Sequence, residues 1–93
     1  MRIRAGAEAE FERAWVRGAT DVAGLPGNIR QELLRDAEHP SRYMVTSDWE
    51  DAAALEVFSG SPQRVEFSAV LETFRETATR DVFELVQRLE SSP

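Results

Sequence analysis

Apolar and small residues recur early in the chain at Ala7, Phe11, Ala14, Trp15, Gly18, Val22 and Leu25. Their steps of four, three, one, three, four and three keep to one face of a helix. Glu8, Glu10 and Glu12 fall in its opening turns, where the helix dipole favours acids. Leu25-Pro26-Gly27-Asn28 ends it, because proline cannot continue a helix and Gly-Asn suits a turn. Ahead of this helix, Met1-Arg2-Ile3-Arg4 alternates charge with apolar side chains and predicts a brief strand, broken at Gly6. After the turn the period changes to two. Ile29, Gln31 and Leu33 point one way and Arg30, Glu32 and Leu34 the other, a strand running to Asp36. Ala37-Glu38-His39-Pro40-Ser41 is a turn, and Arg42 to Trp49 is a second strand, so the two form a hairpin. Tyr43, Val45, Ser47 and Trp49 share one face of that strand; Met44, Thr46 and Asp48 share the other.

Asp51 is a good N-cap for a short helix from Ala52 to Phe58, which Gly60 stops. Ser61-Pro62 starts another, an N-cap followed by proline at the first helical position, and Val65, Ala69 or Val70, and Phe74 carry it to about Phe74. Thr77 to Arg80 reads as a connector. Asp81 to Leu89 is expected to close the chain with a strand, ahead of a Ser91-Ser92-Pro93 tail. The order is β-α-β-β-α-β with a split second helix. That is an α+β, ferredoxin-like arrangement in one domain over residues 1–93, an antiparallel sheet with helices on one face. Yet both sheet faces carry apolar side chains: Leu34 and Met44 on one, Leu33 and Val45 on the other. A second copy of the chain is the simplest cover for the face the helices leave open.

Size and charge narrow the function. A chain of 93 residues buries about 60 to 65% of its unfolded surface, too little for an enzyme with a separate cofactor domain and an incentive to dimerise. All eleven cations are arginine, set against seventeen acids for a net charge of −6. Such a chain is poorly suited to nucleic acid or an anionic membrane. There is no cysteine, so no disulfide, thiolate metal site or thiol nucleophile, and one histidine cannot build a multi-histidine metal site. No membrane-spanning run or signal-peptide core is evident, which leaves the cytoplasm as the expected location. Nucleophile-elbow, glycine-rich phosphate-loop and metal-binding patterns are missing too.

The residues in order resemble the antibiotic biosynthesis monooxygenase family. Gly6-Ala7-Glu8-Ala9-Glu10-Phe11 with Trp15 looks like its opening helix, and Gly27 to Asp36 like its second strand. Arg42 to Glu50 looks like the third strand, which ends in an acidic-Trp pair. Ala54-Leu55-Glu56-Val57-Phe58 with Ser61-Pro62 is similar to the helix that follows. The resemblance spans roughly Gly6 to Leu89 and implies a dimeric α+β barrel, two sheets packed through their open faces. It also implies, for part of the family, cofactor-independent oxidation of aromatic or polyketide-derived substrates by O2, with the strand-end tryptophan lining a cavity between sheet and helices. The departures are specific. The polyketide oxygenases have a polar amide four residues before the tryptophan, where this chain has Val45, and a tyrosine six residues after it, where this chain has Leu55. The haem-degrading branch has a histidine on the later helix; residues 65–70 contain none.

The resemblance makes Trp49 the candidate catalytic or pocket-lining residue; the bland alternative is a large aromatic anchoring a strand end. Tyr43 and Ser47 share its strand face. Phe11 and Trp15 on the first helix and Phe58 on the second are candidate substrate contacts, and Arg64 could meet a phenolate or carboxylate. Each has an ordinary structural role as its alternative: core for the aromatics, a solvated helix face for Arg64. Gln31 is a further polar candidate. His39 is the residue type suited to acid–base work near neutrality, but it sits in a turn. Two functions compete. One is a small cofactor-free monooxygenase acting on an aromatic or polyketide-derived molecule. The other is the same barrel as a non-redox ligand-binding, cyclase-assisting or dimerisation domain. Neither requires a metal or cofactor.

Overall fold

The computed structural model describes residues 1–92; Pro93, the last of the expected tail, lies outside them. Seven elements follow in order: β1 (Arg2–Ile3), α1 (Glu8–Ala23), β2 (Asn28–Arg35), β3 (Tyr43–Trp49), α2 (Ala52–Ser59), α3 (Pro62–Glu72) and β4 (Arg75–Thr77). The fold is α+β and ferredoxin-like, with the second helix split as the two start signals required. The Asp51 side chain accepts from the Ala54 N–H at 2.8 Å and opens α2. Ser61 Oγ accepts from the Arg64 N–H at 3.2 Å and opens α3, with Pro62 in its first turn.

β2 pairs antiparallel with β3, and β1 with β4. The two ladders join where β1 lies beside the start of β3: the Ile3 N–H donates to Ser41 O at 2.8 Å and the Tyr43 N–H to Met1 O at 2.9 Å. The resulting order is β4-β1-β3-β2. Along the hairpin Leu33 faces Val45, Gln31 faces Ser47 and Asn28 faces Trp49, all on the side covered by helices. Leu34 faces Met44 and Arg30 faces Asp48 on the open side. One expectation from the alternation fails at Ile29. The register shifts between Asn28 and Arg30, so Ile29 sits at an irregularity and is half exposed instead of sharing the face of Gln31 and Leu33.

The core lies between α1, α3 and the sheet. Ile3, Phe11, Tyr43 and Leu71 are buried together, and Met1, Trp15, Leu33, Phe67 and Phe74 pack around them. Gly18 lets α1 meet α3, because a Cβ there would run into the Phe67 ring. Gly27, at φ +82°, makes the tight entry into β2 that follows Pro26.

The closing strand is not where the alternation predicts it. β4 is the three-residue segment Arg75–Thr77, and residues 78–92 are exposed without regular secondary structure. A strand needs a ladder partner. Within the chain β1 offers one to residues 75–77, while the alternation of Val82 to Leu89 finds none. A two-residue β1 likewise falls short of the expected Met1–Arg4 strand.

Candidate functional site

The candidate residues gather into two groups at opposite ends of the β2–β3 hairpin. The first lies beneath α1. Phe11 is fully buried and Tyr43 is 3% exposed, and their rings meet edge-on with centroids 4.9 Å apart. Phe74 closes the other side of Phe11 at 6.1 Å. The Tyr43 hydroxyl donates to Glu12 Oε2 at 2.5 Å, and Arg35 Nη1 holds the same oxygen at 3.4 Å. Burial pushes the Tyr43 phenol above its ordinary value near 10, the Glu12 carboxylate adds to that shift, and the Arg35 guanidinium opposes it. The phenol is thereby kept as a neutral donor. Trp15 packs against this group, and its buried Nε1–H has no acceptor. Phe11 and Tyr43 are thus core side chains, with Trp15 at their margin.

The second group is built where β3 ends and α2 begins. Trp49 Nε1–H donates to Ser47 Oγ at 2.6 Å. Its ring stacks on Phe58 of α2, with centroids 4.7 Å apart and planes 25° from parallel. Trp49, Ser47 and Phe58 were separate expectations from sequence, and the fold brings them into one contact. Arg64 joins neither group of contacts; it is part of the first turn of α3. His39 is exposed in the turn, its backbone N–H donating to Asp36 Oδ1 at 3.2 Å. Gln31 is committed elsewhere, since its amide nitrogen donates to the Ala19 carbonyl of α1 at 2.5 Å.

Asn28 is the residue that sequence reasoning missed. It reads as part of a Gly-Asn turn, yet it is the first residue of β2 and the register partner of Trp49. Its side-chain nitrogen is buried and has no acceptor. A buried amide donor left unpaired costs free energy, on the order of 1–3 kcal/mol, unless something supplies an acceptor. Counting back from the hairpin turn would bring residue 29 opposite residue 49; the irregularity at Ile29 puts Asn28 there instead, and no signal along the chain marks it.

Two surface depressions lie away from this group. One, of about 460 Å³, runs along the outer side of α1 past Glu12, Arg13 and Val16. The other, of about 140 Å³, lies between Arg2, Arg42 and residues 77–79. Among the described residues no cluster of three His, Cys, Asp or Glu side chains could hold a metal ion. Nor is any helix among them long and apolar enough to cross a membrane.

With this geometry in view, the comparisons with known proteins are direct. The family model for antibiotic biosynthesis monooxygenases matches residues 1–70. The chain belongs to that family. Solved structures agree: SnoaB, a cofactor-independent oxygenase from Streptomyces nogalater, superimposes with a TM-score of 0.73 at 27% identity, over 89% of this chain and 90% of that one. Protein SchA of Streptomyces halstedii is 33% identical over 80% of this chain but only 20% of its own length, so the chain spans about a fifth of that relative. A mycobilin-producing heme oxygenase of Mycobacterium tuberculosis is 31% identical over 67% of this chain and 59% of its own length. The family resemblance read from the ordered segments therefore holds, and the α+β, ferredoxin-like arrangement of the single chain is the one observed.

Proposed function

We infer that the protein is a cofactor-independent monooxygenase acting on an electron-rich aromatic or polyketide-derived molecule as a homodimer. The observation that carries this reading is the group around Trp49: a stacked indole and phenyl, a hydroxyl, and the buried, unpaired amide donor of Asn28 opposite. Flat aromatic walls suit an anthrone or phenol. The amide N–H suits the oxygen of its anion. In this chain Asn28 offers an amide where Val45 cannot.

The substrate supplies the electrons. Its anion passes one electron to O2, the resulting radical pair joins to form a C–O bond, and the peroxide loses water. A CH2 group and O2 thus become C=O and H2O, with no external reductant. The protein contributes orientation, exclusion of water and a donor for the developing oxyanion. Tyr43 stays outside this chemistry, since its proton is held by Glu12. SnoaB, described as a cofactor-independent oxygenase, supports the reading through its matching fold.

Oxygen-electrode traces with a panel of anthrones and naphthols, alongside quinone absorbance, test it. Stoichiometric O2 uptake and quinone formation above the buffer rate are expected. No uptake from correctly folded protein would sink the proposal.

A second reading rests on Val45 and Leu55, apolar where polyketide oxygenases carry an amide and a tyrosine, and on the filled space around Phe11 and Tyr43. On it, the protein binds a small apolar ligand or assists a cyclisation without redox chemistry. A ligand-induced rise in melting temperature without O2 uptake would favour it. Because one relative is a heme oxygenase, added haem belongs in the same panel. A Soret shift would redirect the assignment to haem.

A further inference from the structure

An indole N–H can only donate, whereas a serine hydroxyl has one proton to give and lone pairs to offer. Trp49 Nε1–H spends its proton on Ser47 Oγ at 2.6 Å. The oxygen is thereby used as an acceptor, and among the described residues no group accepts the hydroxyl proton. Gln31, the register partner of Ser47, reaches to α1 instead, where its amide nitrogen donates to Ala19 O at 2.5 Å. Ser47 and Trp49 are half-buried, so the hydroxyl stays within reach of a ligand.

Asn28 adds a second donor at the same end of the hairpin. It stands opposite Trp49 in the ladder, and its side-chain nitrogen is buried without an acceptor. The charges nearby are engaged or turned away. Asp48 lies on the open face, paired with Arg30 at 3.5 Å. Asp51 caps α2, and Glu50 and Glu56 are exposed. Arg64 stays outside the contacts around Trp49. Neutral donors are therefore what this group offers a ligand. A phenolate oxygen accepts from both with no proton of its own to place, and such charge-assisted bonds are roughly twice as strong as neutral ones.

We propose that the Ser47 hydroxyl is the donor that selects the ionised form of an aromatic ligand, and that Trp49 is its positioning residue. By occupying the oxygen, the indole N–H leaves the proton as what Ser47 presents. The stack on Phe58, with centroids 4.7 Å apart, holds the indole plane and with it the N–H. Without that N–H the hydroxyl is free to rotate, and it accepts from a neutral phenol as readily as it donates to a phenolate. The proposal rests on the reading of the Trp49 group as the ligand site and deepens it: the preference for an anion lies in a serine and an indole N–H, whether or not the ligand is then oxidised.

The probe is para-nitrophenol, because its phenolate is yellow and its phenol is not. At the pH where half of the free probe is ionised, the spectrum of the bound probe gives its ratio of phenolate to phenol. The wild-type protein should favour the phenolate by at least about tenfold, the scale of a hydrogen bond to a charged group. Ser47→Ala and Trp49→Phe should each lower that preference by about tenfold, with unchanged circular dichroism spectra. Ser47→Thr, which keeps the hydroxyl, should retain it. The double variant should lose no more than Ser47→Ala alone, because the indole acts through the serine. Losses that add in the double variant overturn the positioning role of Trp49. An undiminished preference in Ser47→Ala, or one removed by Arg64→Gln instead, overturns the serine donor. A wild-type protein that binds phenol and phenolate equally overturns the proposal and leaves the oxygenase reading standing. One that does not bind the probe overturns both the proposal and the ligand-site reading beneath it.

Discussion

Trp49 and Asn28 share one register position, and each has a distinct test. Trp49→Phe keeps the stack on Phe58 but removes the donor to Ser47. If the indole only shapes the wall, turnover of an active substrate falls by less than about tenfold; removal of the ring in Trp49→Ala should cost more than about 100-fold if it orients the substrate. Asn28→Ala removes a buried donor that has no partner in the free protein. Urea unfolding should therefore show stability unchanged or raised, not lowered, because the unpaired donor itself costs free energy. Oxygenase activity should drop by about 100-fold, the scale of one oxyanion donor. A large loss of stability with intact activity would assign Asn28 to structure alone. Tyr43 responds to pH in a calculable direction. Its phenol is raised in the folded protein by burial and then by Glu12. The neutral phenol is the form the fold favours, so its contribution is complete below the ordinary value near 10. It is lost as pH rises through the higher folded value. Tyr43→Phe should remove that part of alkaline unfolding, and at neutral pH should cost about 0.5–1.5 kcal/mol for the lost hydrogen bond to Glu12.

At the scale of elements, the caps and turns carry most of what the sequence makes legible. The split between α2 and α3 is written in Asp51, Gly60 and Ser61-Pro62, and each cap forms as its residue type requires. Ser61→Ala should lower stability by about 1 kcal/mol, read from the urea midpoint, since it leaves the Arg64 N–H without its acceptor. The β2–β3 turn is fastened by Asp36, whose carboxylate accepts from the Glu38 N–H and from Arg42 Nη1. Those donors, the Glu38 N–H first, hold Asp36 below its ordinary value, and the Ser41 hydroxyl does the same for Glu8 at the start of α1. A lowered carboxylate stabilises the fold above its ordinary value near 4. That contribution fades as pH falls through the lowered one. Asp36→Asn should therefore flatten the loss of melting temperature as pH falls below about 4. The closing strand was not legible at this scale. Alternation from Val82 to Leu89 states which side chains want burial, but not which strand they pair with, and β1 offers its edge to Arg75–Thr77 instead. Asn28 escaped for a related reason: a residue beside glycine in a turn signal gives no sign of the residue across the hairpin.

For the whole molecule, the uneven clothing of the sheet dominates. Helices cover one face, and Met44, 61% exposed, stands on the other. Met44→Glu with Leu34→Glu should keep the monomer's fold and abolish association, measured as mass by light scattering. A dimer that survives both substitutions would place the interface elsewhere. The helix-covered face and the open face follow from a pattern that could be read along the chain, because periods of 3.6 and 2 report which side of each element seeks burial. Sequence by itself determined the α1 face, the hairpin and its two faces, the split helix, and the apolar residues on the sheet face that the helices leave open. Only tertiary structure decided the rest. It gathered Trp49, Ser47 and Phe58 into one contact, set Asn28 opposite them and closed the core over Phe11 and Tyr43. It also chose residues 75–77 over 81–89 as the fourth strand. Those outcomes depend on register and on available strand edges, which are properties of pairs of segments that no single segment encodes.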